Sequence, residues 1–274
     1  MKLGIFAKTF AGTDPLSVLV QVKSAGLDVA QYNMACSGLD AMPAQIPENV
    51  ATAVHDAALE TKIGVVAVSG TYNMIHPDIQ KREQGHARLE ILASSCAGLG
   101  TNLITLCTGT RDALDQWRHH PDNNSASAWD DMLASMETAL AIAEKYNVTL
   151  GIEPELANVV NSAAKARKLI DTLKSPRLKI IFDPANLFEV ATLEEQRRTI
   201  SQAIEILGPD IVMGHAKDRN PDSSFATAGK GVLDYAHYIG CLRALDFKGP
   251  LVTHGLAASE ANSVATFLKK ILGE

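Results

Sequence analysis

Residues 149–183 read TLGIEPELANVVNSAAKARKLIDTLKSPRLKIIFD. The stretch opens and closes on short apolar runs, TLGIE (149–153) and LKIIFD (178–183), each ending in a carboxylate. A longer amphipathic segment separates them. The two runs are apolar throughout rather than alternating, which is the pattern of parallel strands covered on both faces. The stretch therefore reads as strand, helix, strand, with Glu153 and Asp183 at equivalent points of successive units.

The same unit repeats in both directions. Toward the N-terminus lie LGIFA (3–7), VAQYN (29–33), VVAVSG (65–70) and LITLC (103–107); toward the C-terminus lie IVMGH (211–215) and PLVTH (250–254). That makes eight strands, each followed by a helix candidate. Eight units of about 34 residues predict a closed α/β fold, a single-domain (β/α)8 TIM barrel over residues 1–274, rather than an open doubly wound sheet. Helix starts carry their own signals. Asp14-Pro15 opens the first helix. Thr192 with Glu195 forms a capping box for the sixth, Asp234 caps the seventh and Ser259 the eighth. Trp129, Met132, Leu133, Met136, Leu140 and Ala143 fall on one face of the fourth, where the methionines are packing residues.

Composition sets outer bounds. The chain has 274 residues, 46% of them apolar and 20% charged, which suits an ordinary globular protein. Its net charge of −6 disfavours an extended nucleic-acid footprint and fits a sugar, a sugar phosphate or another small polar substrate. Cys36, Cys96, Cys107 and Cys241 form no CxxC pair and read as reduced thiols in or near the core. The run MKLGIFAKTF lacks the features of a signal peptide, and no apolar stretch reaches bilayer length. The expectation is a cytoplasmic protein without membrane contact.

Polar residues recur at the strand ends: Glu153, Asp183, His215 and His254, at intervals of 30, 32 and 39 residues. Adjacent barrel strands bring such residues together at the C-terminal mouth. Two carboxylates and two imidazoles suit one divalent ion: Mn, Mg, Co, Zn or Fe. Nearby groups are candidates for the rest of the site. Glu155 offers a second carboxylate. Lys217 offers a cation for a developing oxyanion or a phosphate. Asp218 could orient a ligand or substrate, and Asn186 could donate to a substrate hydroxyl. Asn73 and His76, after the third strand, could close the pocket, and Arg111, after the fourth, could clamp an anion. Gly229-Lys230-Gly231 is a weak phosphate signal that makes Lys230 a binding candidate. The loop 109–128 is the longest irregular stretch and should overhang the mouth as part of a lid.

IEPE (152–155), FDPAN (182–186), GHAKD (214–218) and GKGVLD (229–234), with SGTYNMIHPD (69–78) and LCTGTRD (106–112), resemble the xylose isomerase-like barrel superfamily of sugar isomerases and epimerases. Endonucleases of the endonuclease IV type belong to the same superfamily. The resemblance spans essentially the whole chain. It implies that Glu153, Asp183 and His215 bind metal, and it places His254 where the family normally has a glutamate. That exchange argues against the paired glutamates of the ketose 3-epimerases, which work from opposite sides of the substrate. Asn186 replaces a family histidine. Ser69, Cys107 and Gly229-Lys230-Gly231 stand where a three-zinc endonuclease site needs other residues.

The expected function is a metal-dependent isomerase or epimerase acting through an enediolate, with Glu153 or His254 moving the proton and Glu155 in reserve. An apurinic-site endonuclease-like phosphodiesterase and a non-catalytic sugar-binding barrel are the alternatives. A small-molecule carbohydrate is the expected partner, nucleic acid is not, and a homodimer or higher homo-oligomer fits the general habit of soluble proteins.

Overall fold

A computed structural model describes residues 1–273 of the chain. Eight parallel strands form its centre: β1 (Leu3–Phe6), β2 (Val29–Tyr32), β3 (Gly64–Ser69), β4 (Leu103–Leu106), β5 (Thr149–Ile152), β6 (Leu178–Phe182), β7 (Ile211–Ala216) and β10 (Leu251–Thr253). They close in the order β1-β10-β7-β6-β5-β4-β3-β2. The last joint pairs Leu3 with Leu251 and Ile5 with Thr253. Between β7 and β10 a short antiparallel pair intervenes, β8 (Asp218–Arg219) and β9 (Phe225–Ala226).

The outer ring is α1 (Pro15–Ser24), α2 (Glu48–Thr61), α3 (Ile79–Leu99), α4 (Ala126–Tyr146), α5 (Ala163–Leu173), α6 (Leu193–Leu207), α7 (Tyr235–Ala244) and α8 (Ala261–Leu272). Asp14, Asp78, Ser125, Ser162, Thr192 and Asp234 each accept a backbone N–H from the first turn of the helix they precede. Thr192 and Glu195 complete the expected capping box. Ser259 does not cap α8: it lies inside a 3-10 turn (Ala258–Glu260), and Glu260 accepts the Ala257 N–H at 2.9 Å instead. Met132 and Met136 are fully buried packing residues. All four cysteines are free, and no helix among the described residues is long and apolar enough to cross a membrane.

Most of the apolar core lies between the strands and the helices. A second, smaller cluster, Ala67, Leu103, Ile181, Met213 and Val252, fills the barrel interior below the mouth. Side chains alternate along a strand, so these interior residues set the direction of those that follow. Two residues beyond Ile181 is Asp183; beyond Met213 is His215; beyond Val252 is His254. Glu153 stands in the same phase after Gly151, whose missing side chain leaves room for Ile181. The strand pattern thus aims all four residues into the mouth.

Candidate metal centre

Glu153, Asp183, His215 and His254 each offer a ligand atom, and these atoms all lie within 4.8 Å of one another. Glu153, Asp183 and His215 are buried, and His254 is partly exposed. Two contacts define the cluster. Nδ1 of His215 lies 3.2 Å from Oε1 of Glu153, and Nε2 of His254 lies 3.1 Å from Oδ2 of Asp183. The two imidazole rings are 4.4 Å apart.

The surroundings dictate which atoms face inward. Lys217 Nζ can only donate, so Asn186 accepts from it through Oδ1 at 2.9 Å. Asn186 Nδ2 then donates to Oε1 of Glu153 at 2.8 Å. Gln31 Oε1 accepts a hydrogen bond from Nε2–H of His215 at 2.9 Å, while Gln31 Nε2 donates to Thr105 Oγ1 at 3.1 Å. His215 is left with a bare Nδ1 lone pair facing a carboxylate oxygen. Two lone pairs at that separation repel unless a proton or cation sits between them. Nitrogen and oxygen ligands held about 2.0–2.2 Å from one ion are themselves about 3 Å apart. The donor set and its spacing therefore fit one divalent cation.

Electrostatics point the same way. Burial opposes ionisation of Asp183, but Lys217, whose Nζ is 3.2 Å from Oδ2, and the hydrogen bond with His254 prevail and hold its carboxyl far below the usual range. Burial also opposes ionisation of Glu153, and the positive charge that a proton on His215 brings more than compensates. For His254, burial and then the neighbouring His215 lower the imidazole pKa, which favours the neutral ligand form. Burial, reinforced by Glu153, pushes the Glu155 carboxyl up to about 8. Burial disfavours the charged form of Lys217, yet Asp183, Glu153 and Glu155 together raise its pKa.

A second group, Cys107, Glu153 and Glu155, lies within the same 4.8 Å limit. Burial, then Glu153 and Glu155, raise the Cys107 pKa far above the thiol range, so without a bound cation the sulfur stays protonated.

Above the cluster is a cavity of about 840 Å3. Glu153, Glu155, His215, Lys217 and His254 line it, so the structure brings the proposed catalytic residues together. Several proposed substrate contacts stand elsewhere. Asn186 is spent on Glu153 and Lys217 and positions both. Asn73 donates to the Thr110 carbonyl and accepts the Thr110 and Ile75 N–H groups, pinning the loop after β4. His76 uses Nδ1 to accept the Asp78 N–H and Nε2 on the Ala113 carbonyl. Arg111 pairs with Asp131 and donates to the Ile75 and Ser127 carbonyls, which leaves no clamp for an anion. Lys230 pairs with Glu260 on the surface.

Asp218 is fully buried and accepts four backbone N–H groups, from Arg219, Gly229, Gly231 and Leu233. Its carboxylate occupies the donors that the GKG segment would have offered a phosphate. Loop 109–128 does overhang the mouth, and Gln116, Trp117, Arg118 and His119 line the cavity. Sequence reasoning passed over Gln31, Arg219 and Phe225. Gln31 carried a signal, a polar residue inside an otherwise apolar strand.

A closed (β/α)8 barrel with a carboxylate–imidazole cluster at its C-terminal mouth defines the class of protein. The family model described as Xylose isomerase-like TIM barrel matches residues 19–270, and the chain belongs to that family. No curated protein matches the chain significantly by sequence. Among solved structures it is similar to 3-keto-D-glucoside 4-epimerase from E. coli, with a TM-score of 0.77, 19% identity and coverage of 98% of this chain and 99% of that one. D-Psicose 3-epimerase from Clostridium cellulolyticum gives 0.75, 16% identity and 99% of each chain. The probable 3-DHS dehydratase from Bacillus anthracis gives 0.76, 13% identity, 98% of this chain and 99% of that one. At these identities the shared property is the fold.

Proposed function

We propose that the protein is a metal-dependent isomerase or epimerase of a sugar or related polyhydroxy carbonyl compound. The observation that carries this reading is the convergence of ligand atoms of Glu153, Asp183, His215 and His254 at a cavity that Glu155 and Lys217 also line. The names of two of the similar structures, epimerases of a 3-keto-glucoside and of D-psicose, support it.

A divalent ion bound by the four residues supplies a Lewis acid that polarises a substrate carbonyl. The side chains do the remainder. Glu153 or His254 takes the proton from the carbon next to the carbonyl. Its return to the neighbouring carbon gives isomerisation, and its return to the opposite face of the same carbon gives epimerisation. Glu155, beside Glu153 on the cavity wall, serves as the second acid or base. Lys217 is held by Asn186 and Asp183 and places a fixed positive charge where oxygen gains negative charge. The free thiols and acidic net charge support a cytoplasmic enzyme of small molecules rather than of nucleic acid.

The test is exchange of substrate C–H protons with deuterated water, followed by NMR over a sugar panel with metal-loaded protein. Exchange is expected in wild type and lost in Glu153→Gln. Full turnover with full metal content in that variant would remove Glu153 from the mechanism.

A further inference from the structure

The cavity of about 840 Å3 is larger than one sugar ring requires. It equals the volume of about 28 liquid waters, whereas a hexose displaces about six. Volumes near the top of the roughly 300–1,000 Å3 range suit ligands well beyond a monosaccharide.

The floor and the rim of the cavity differ in chemistry. The floor is buried and ionic. The rim carries two large aromatic side chains, Trp117 and Phe225, that are 52% and 51% exposed. Trp117 rises from the loop after β4 and Phe225 from β9, which follows β7. The backbone beside Trp117 and the ring of Phe225 are both anchored. Arg118, next to Trp117, is paired through two nitrogens with Asp112. Phe225 lies 3.8 Å from Lys217 Nζ and 4.3 Å from the Arg219 guanidinium carbon. Because Lys217 also touches Asp183, Phe225 stands one side chain above the ligand cluster.

Two large aromatic faces left in water at the mouth of one cavity are a surface that a ligand can cover. A pyranose ring offers a face of C–H groups to an aromatic ring and hydroxyls at its edge. Gln116, His119 and Asn33 line the same cavity and can meet those hydroxyls.

We propose that the rim is a second sugar subsite and that the substrate is a glycoside. One ring lies over the ligand cluster, and a second, joined to it by a glycosidic bond, lies at the rim that Trp117 and Phe225 line. This rests on the sugar isomerase or epimerase reading above.

The experiment uses metal-loaded protein and two matched probe sets: keto derivatives of glucose, galactose and mannose, and keto derivatives of their α- and β-linked disaccharides. Deuterium exchange gives kcat/KM for each. At least one disaccharide is expected to exceed its parent monosaccharide by about tenfold or more, and Trp117→Ala or Phe225→Ala should cut that ratio by about tenfold. Trp117 is one of two tryptophans, so saturating disaccharide should shift the emission of wild type and not of Trp117→Phe. Exchange into monosaccharides with no gain for any disaccharide overturns the subsite and leaves the isomerase reading standing. A ratio unmoved in both variants, or an unchanged wild-type emission, does the same. Exchange into neither set overturns the isomerase reading, and the subsite with it.

Discussion

Gln31 on β2 accepts a hydrogen bond from Nε2–H of His215 on β7 across the barrel, at 2.9 Å. This hydrogen bond decides which imidazole nitrogen is left for a cation. Gln31→Leu removes the acceptor and frees the ring to take the other tautomer. Divalent-ion affinity should fall roughly 10–100-fold, the range typical of such outer contacts. Gln31→Glu keeps an acceptor and should stay nearer wild type. Competition with a chromophoric chelator reads both. Wild-type affinity in the leucine variant would dismiss the tautomer assignment.

His254 supplies the fourth donor of the cluster through its contact with Asp183. Protein purified without chelator or affinity nickel should carry one divalent ion per chain by elemental mass spectrometry. His254→Ala should retain substantially less. Metal content unaffected by the substitution would remove His254 from the ligand set. A second ion per chain would bring Cys107 and Glu155 into play as ligands.

Glu155 gives a pH signature to the metal-free protein. Its carboxyl is raised from 4.5 to about 8 on folding, by burial and then by Glu153. The folded state holds this proton more tightly than the unfolded state does. The contribution to stability is therefore fully present below pH 4.5 and is lost as pH rises toward 8. Thermal unfolding of metal-free wild type and Glu155→Gln should converge at low pH. Over the interval to pH 8 the wild type should lose more Tm than the variant. Parallel curves would contradict the burial of this carboxyl.

Asp218 is a scaffold residue on the same grounds. Asp218→Ala leaves four N–H groups of the 219–233 segment without their acceptor. The expected cost is about 3 kcal/mol, several degrees of Tm. Asp218→Asn keeps one oxygen acceptor and should lose less. An unchanged Tm in the alanine variant would show that water replaces the carboxylate.

The barrel was legible because its strands are covered on both faces, so each reads as an apolar run with a polar end. The eight expected runs match the eight barrel strands to within one or two residues at either end. Glu153, Asp183, His215 and His254 were legible for the same reason, because strand phase and fold together fix where they point. Loop residues have no such constraint. Asn73, His76 and Arg111 looked like ligand contacts because they are polar and near the mouth, yet each is used up on backbone carbonyls or on Asp131. Ser259 had the chemistry of a cap, but the 3-10 turn before α8 moved the helix start past it.

The run from Lys217 to Arg219 has a consequence for how this protein can change. Lys217 and Arg219 line the cavity, while Asp218 between them faces away and gathers the following loop. Recognition and architecture are thus interleaved one residue at a time, and Arg219 serves both, lining the cavity while donating to the Ala185 and Ser223 carbonyls. Replacing Arg219 would retune what the mouth accepts and also release the loop at Ser223, while the Asp218 contacts would still gather residues 229–233. Drift in the loop's exposed positions would leave the cations where they are, so long as its backbone still reaches Asp218. Such a segment ties specificity to loop geometry, so a new side chain at 219 calls for a matching change where the Ser223 carbonyl is held.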